Sequence, residues 1–127
     1  MARDIPESDW KIFRQLNAIA LRRFCRRTLS EIEGNAAEHS KSSYQRYLAA
    51  YETQLRRENE LSRAFDGLRR STAILRIAGL RSRAFIDDEE FVSFSKETRR
   101  VNTLLINRRV KCRRLPWMLN AQYRRMS

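Results

Sequence analysis

Arg69-Arg70-Ser71-Thr72 is the segment of this chain best suited to hold an anion. Two guanidinium groups stand directly before two hydroxyl residues, just after an Asp66-Gly67 turn, where a helix is expected to begin. The first N–H groups of a helix lack intrahelical partners and favour negative charge, and arginines add charge-assisted donors. A partner's carboxylate, a nucleic-acid phosphate, or an acid of the same chain such as Glu58 would fit such a corner. The competing reading is a capped helix whose arginines pair with acids of neighbouring helices, and caps are far commoner than ligand sites. Arg69, Arg70, Ser71 and Thr72 are the candidate anion- or partner-binding residues, weighed against that plainer alternative.

A second basic feature lies at the end of the chain. The formal net charge is +12, and residues 108–127 hold seven basic and no acidic residues, so +7 of it sits there and +5 elsewhere. Arg108, Arg109, Lys111, Arg113, Arg114, Arg124 and Arg125 surround Pro116-Trp117-Met118-Leu119. Cations would neutralise phosphates, and Trp117, with Tyr123, would stack bases. These are the candidate nucleic-acid-binding residues; the alternative is a solvated chain end.

The remaining chemical candidates are weaker. Asp87-Asp88-Glu89-Glu90 lacks the alternate ligand spacing and glycine of a calcium loop, and reads better as acids in the first turn of a helix, with Asp87 and Glu90 forming a capping box. His39 is the single histidine and lies in a polar loop without a partner for base catalysis. Cys25 sits among Arg22, Arg23, Arg26 and Arg27, which would favour a thiolate, yet no histidine accompanies it, so a structural thiol is expected. Cys25 and Cys112 form no CxxC pair, which favours reduced thiols. Tyr44, Tyr47 and Tyr51 could stack bases, but at helical spacing they read as core residues with hydroxyls at the rim. No glycine-rich phosphate loop, HExxH or zinc spacing occurs, and no metal or cofactor is expected.

The elements that must position these residues are helical. With three Gly and two Pro in 127 residues, an all-β fold is disfavoured. The central run is Lys41–Asp66, whose Tyr44, Tyr47, Leu48, Tyr51, Leu55, Leu61 and Phe65 share one side, with Ser40, Ser42 and Ser43 as N-cap candidates. Before it, after a loose lead-in over Met1–Ile5, a first long helix starts at Pro6 to Asp9, with Ser8 as its cap. It collects Trp10, Phe13, Leu16, Ala20, Leu21, Phe24 and Ile32 on one side and Lys11, Arg22, Arg26 and Glu33 on the other. Gly34-Asn35 reads as its stop. The short link implies an antiparallel hairpin, with Tyr51 and Leu55 packing on Phe13 and Phe24. Gly67 should terminate the second helix. A shorter helix then carries Ala73, Ile74, Ile77, Ala78 and Leu80, with Gly79 either costing stability or admitting a close neighbour. A turn starts at Asp87, and a last helix from Lys96 to about Asn107, capped by Ser95 and with a continuation to Arg114 as the alternative, turns Val101, Leu104 and Leu105 inward. The expected fold is all-α: a long antiparallel helical hairpin with two or three shorter helices packed across it. Residues 1–107 form the domain, and 108–127 a basic, flexible extension.

The chain resembles a family of small helical bacterial proteins of uncharacterised function. The resemblance rests on Ile5-Pro6-Glu7-Ser8-Asp9-Trp10-Lys11, Arg46-Tyr47-Leu48, Arg69-Arg70-Ser71-Thr72-Ala73, and Glu89-Glu90-Phe91 through Phe94-Ser95-Lys96-Glu97-Thr98-Arg99. It covers residues 5–100 and implies a compact helical body, with no activity or catalytic residues to carry over. The basic end departs from the family pattern, which closes near residue 107.

These readings favour a non-enzymatic binding or regulatory protein acting through protein–protein contacts, homodimerisation included. The alternative is a nucleic-acid-associated protein using the basic end and the arginine-rich helix faces. An enzyme is disfavoured for want of a catalytic constellation. No apolar run follows a basic start and none approaches about 18 residues, so a cytoplasmic protein without signal peptide or membrane span is expected.

Overall fold

The computed structural model describes residues 5–112, with side chains through Asn107. Helix α1 spans Glu7–Ala36, α2 Ser43–Phe65, α3 Ala73–Ser82, α4 Asp88–Phe91 and α5 Lys96–Cys112, with a single 3₁₀ turn at Arg70–Thr72. No strand occurs among the described residues. The two long helices form the expected antiparallel hairpin, and the shorter helices pack across one end of it.

Each terminus of the hairpin has a local cause. Glu7 and Asp9 occupy the first turn of α1 and suit its positive end. Ser8 makes no cap; the flanking residue is Pro6, whose own side chain accepts nothing. Ile5 is not a loose lead-in, because it is 2% exposed in the core. At its far end α1 runs through Gly34-Asn35 to Ala36. The expected stop fails because Asn35 works across the hairpin: its Nδ2 donates to Thr53 Oγ1 at 2.7 Å and to the Ala49 carbonyl at 3.3 Å. Arg46 Nε then closes the turn by donating to the Ala36 carbonyl at 2.6 Å. Helix α2 opens on a reciprocal capping box between Ser42 and Gln45. It ends where Gly67 takes a φ of 69°, a conformation that glycine adopts without steric cost.

The core sits wholly at one end. Ile5, Phe13, Leu16, Ala20 and Phe24 meet Ala73, Ile77 and Leu80 of α3, Phe85 and Ile86 of the following loop, and Phe91 and Phe94. Phe24 is its pivot, with ring centroids 5.8 Å from Phe65 and 5.6 Å from Phe85. The expected pairing of Phe13 and Phe24 with Tyr51 and Leu55 does not occur. Both phenylalanines are buried, while Tyr51 and Leu55 are about half exposed. The third helix buries the expected Ala73, Ile77, Ala78 and Leu80, and a Cβ built on Gly79 meets nothing within 4 Å. The glycine therefore admits no close neighbour.

Helix α5 is fixed by a residue far away in sequence. Asp9, 2% exposed, accepts from the Ser95 backbone N–H at 3.0 Å, and from Ser95 Oγ and Thr98 Oγ1 at 2.6 Å each. Ser95 starts α5 as expected, with a carboxylate from α1 at its positive end. Leu104 does not turn inward; it is 59% exposed, and Asn102 is fully buried instead. The inner line of α5 is thus Thr98 and Asn102, one turn apart, with Val101 and Leu105 half-buried beside it. Asn102 Nδ2 donates to the Ile74 carbonyl at 2.8 Å. Helix α5 continues past Asn107 to Cys112 without a break.

Arginines tie the short elements to the hairpin. Arg23 donates to the Phe85 carbonyl and makes a bidentate pair with Glu90 at 2.7 and 2.9 Å. Arg27 bridges the successive carbonyls of Arg83 and Ala84, and its guanidinium lies 4.3 Å from the centre of the Phe85 ring. Arg76 donates to the carbonyls of Arg63 and Asp66 at the end of α2. Arg81 covers Phe91 at 3.6 Å, where burial lowers its pKa from the ordinary value. The planar guanidinium, with five N–H donors in a fixed fork, suits such bridging better than an ammonium group.

Candidate interaction surface

The Arg69–Thr72 corner is built differently from a ligand cradle. Arg70 Nε donates to the Ile5 carbonyl at 2.9 Å, and Nη1 to Glu7 Oε2 at 2.8 Å. The acid in contact is thus Glu7 of the same chain, not Glu58. Thr72 donates its hydroxyl back to the Arg69 carbonyl at 3.2 Å, and α3 begins without a side-chain cap. Arg69 and Ser71 are exposed. Of the basic end, Arg108, Arg109 and Lys111 lie on the α5 backbone, and Arg113, Arg114, Trp117, Arg124 and Arg125 lie outside the described residues.

Of the other chemical candidates, the acid run takes a structural role. Asp87 and Glu90 form the expected capping box, with Glu90 N–H donating to Asp87 at 2.7 Å. The bidentate hydrogen bonds from Arg23 hold the Glu90 carboxyl below its ordinary pKa, and Arg23 is raised in turn. His39 is exposed in the turn between the long helices, and Cys25 is exposed on α1. Among the described residues no three His, Cys, Asp or Glu side chains converge as metal ligands would.

The surface that stands out is the outer face of α2. Tyr44 is 69% exposed, Tyr47 67%, Tyr51 52% and Leu55 50%. Their spacing of three and four residues makes one continuous stripe about 17 Å long. Thr53 and Ala64, the buried residues of α2, lie on the opposite side of the helix. In the outer half of α2 the amphipathic pattern is therefore inverted: the apolar stripe faces outward and a small, polar face meets α1, while at the core end Leu61 and Phe65 pack against the core.

The reason lies in α1. Its inner line runs through Phe13, Leu16, Ala20 and Phe24, but its continuation toward the turn is Glu31 and Asn35. These residues need polar partners, and α2 supplies them. Arg57 Nε donates to Glu31 Oε1 at 2.8 Å, Arg56 Nη2 to Glu31 Oε2 at 3.0 Å, and Asn35 reaches Thr53. Arg57 also pairs with Glu60 at 2.6 Å. The hydrogen bonds from Arg57 lower the Glu31 pKa and raise that of Arg57, against the desolvation that opposes both shifts. A polar seam thus closes the outer half of the hairpin, and the tyrosine stripe is left over.

The sequence identified this stripe but turned it inward. The signal that places it outward is the polarity of its would-be partner positions, Glu31 and Asn35. Asp9 reads from the sequence only as an acid at the start of α1, since nothing near it in the chain marks its partners, Ser95 and Thr98.

No family model, curated protein or solved structure matches the chain. Among the described residues no helix is long and apolar enough to cross a membrane.

Proposed function

We propose that the protein is a non-enzymatic helical binding protein that acts through protein–protein contacts made by the outer half of its hairpin. The observation that carries this reading is the outward stripe of Tyr44, Tyr47, Tyr51 and Leu55. Tyrosine supplies large contact area at low entropic cost and is enriched at interface centres. A large contiguous apolar patch rimmed by polar residues is a mark of an interaction site. The stripe lies away from the core, so substitution there separates binding from folding.

The competing nucleic-acid reading draws on the arginines. Within the described residues many of these spend their donors on the protein itself: Arg23, Arg27, Arg46, Arg70 and Arg76 on backbone carbonyls, and Arg56 and Arg57 on Glu31. The deciding experiment is affinity capture from lysate, with and without nuclease, using the native chain and a Tyr47→Ala/Tyr51→Ala variant. Specific proteins retained after nuclease and lost from the variant are expected. Loss of all bound material on nuclease treatment, with the variant unchanged, would favour nucleic acid instead.

A further inference from the structure

Building on that reading, we infer that the stripe on α2 is a self-association surface, and that a second copy of the chain packs on it in antiparallel, two-fold symmetric fashion about Tyr51. Helix α2 has the register for this. With Tyr51 on the axis, residues whose numbers sum to 102 face each other. Tyr47 then meets Leu55 of the second copy, an aromatic against a branched aliphatic. Tyr44 meets Glu58 of the second copy, so that a phenol hydroxyl can donate to a carboxylate. Leu48, half-buried, and Gln54, exposed, border the stripe on its two flanks. An isologous contact of this kind closes on itself and leaves no further stripe exposed.

Electrostatics selects the same arrangement. The chain carries +12, which opposes close approach of two copies. The stripe itself, from Tyr44 to Leu55, is uncharged, and Glu52 and Glu58 lie on its borders. An antiparallel pairing centred on Tyr51 also places the two core ends at opposite ends of the contact, and the helix dipoles run in opposite directions. A parallel pairing would set both core ends side by side.

The area suggests a modest affinity. At about 200 Å² for each aromatic side chain, the exposed parts of the stripe amount to roughly 450 Å² per copy. Two copies give roughly 900 Å², and the flanking Leu48, Gln54 and Glu58 bring the total toward the low end of stable interfaces, about 1,200 Å². Interfaces at this end of the size range are transient ones, so a dimer in exchange with monomer is expected.

Sedimentation velocity of the full chain, from low micromolar to several hundred micromolar, tests this. A concentration-dependent monomer–dimer equilibrium is expected. Tyr51→Glu sets two carboxylates against each other on the axis and should weaken it at least about a hundredfold. Its circular dichroism and melting temperature should stay unchanged, because Tyr51 lies outside the core. In a Cys25→Ser/Cys112→Ser background, Tyr51→Cys should cross-link under mild oxidation, while Arg22→Cys on the far side of α1 should not. A monomer at every concentration overturns the inference, as does a dimer indifferent to Tyr51→Glu or equal cross-linking at both positions. A monomer whose captured proteins still depend on Tyr47 and Tyr51 leaves the binding function standing with a different partner. A monomer whose capture is indifferent to them removes both.

Discussion

Asp9 joins parts of the fold that are far apart in sequence. Its carboxylate is buried, accepts from Ser95 and Thr98, and so joins the start of α1 to the start of α5. Asp9→Ala would leave those donors unmatched inside the protein, and a loss of about 2–3 kcal/mol is expected in urea unfolding. Ser95→Ala removes only part of the arrangement and should cost about 1 kcal/mol. Equal, negligible losses would show that α5 is held by packing alone. Glu90 offers a test by pH. Its folded pKa lies below the ordinary carboxylate value because Arg23 hydrogen-bonds the charged form. The stabilisation is therefore complete above the unfolded glutamate value, about pH 4.3, and is lost as pH falls through the lower folded value. Glu31, lowered by Arg57, acts in the same direction. Glu90→Gln should lower stability at neutral pH and flatten its fall on acidification, as followed by melting temperature between pH 7 and pH 3. A parallel fall in both proteins would mean that the pair adds nothing.

Among the elements, α1, α3 and the Asp87 turn are legible in the sequence, and α2 is legible in extent and, through Leu61 and Phe65, in the orientation of its core end, but not in that of its outer half. Phe13, Leu16, Ala20 and Phe24 repeat at helical spacing and are buried as that spacing requires. Tyr44, Tyr47, Tyr51 and Leu55 repeat just as well, and periodicity alone does not tell a core face from a docking face. The distinction lies in the opposite helix, where Glu31 and Asn35 occupy the positions the stripe would need. Helix α5 misled for a related reason: its buried line is polar, Thr98 and Asn102, so Leu104 was assigned a place it does not hold. A pair of substitutions tests the orientation of α2. Phe24→Ala should cost about 3–5 kcal/mol, whereas Tyr51→Ala should stay within about 0.5 kcal/mol of the native stability. A comparable loss from both would return the stripe to the core. Gly79→Ala tests α3. The helix interior has open space there, so the substitution should raise stability by about 0.5–1 kcal/mol. A destabilised variant would mean that a neighbour approaches this helix more closely than described.

At the scale of the whole molecule, the protein is a packed end with a projecting arm. Among the described residues, the large buried side chains belong to the packed end, while the arm, from about Thr28 to Arg57, is closed by Asn35, Glu31 and their partners. Cooperative units with few buried apolar contacts open first. Amide exchange in the middle of the arm should therefore proceed through local opening, well before that of Ile77 or Leu80. Binding at the tyrosine stripe should slow it. Uniform protection along both long helices would show that the arm and the packed end unfold as one.

The arginine ties have a last consequence, for what this surface does at a distance. A guanidinium that gives its N–H groups to carbonyls keeps its full positive charge, because a carbonyl satisfies donors without neutralising anything. Arg27, spanning Arg83 and Ala84, and Arg76, spanning Arg63 and Asp66, are of this kind. Their field reaches outward, while two of the five N–H donors of each are already given to carbonyls and hold the fork in place. Polyanions in dilute buffer will gather around such a molecule without being gripped by these groups, and added salt will disperse them. Affinity for heparin or nucleic acid measured at low ionic strength would then report crowding near a charged body, and only what survives at physiological salt would report recognition.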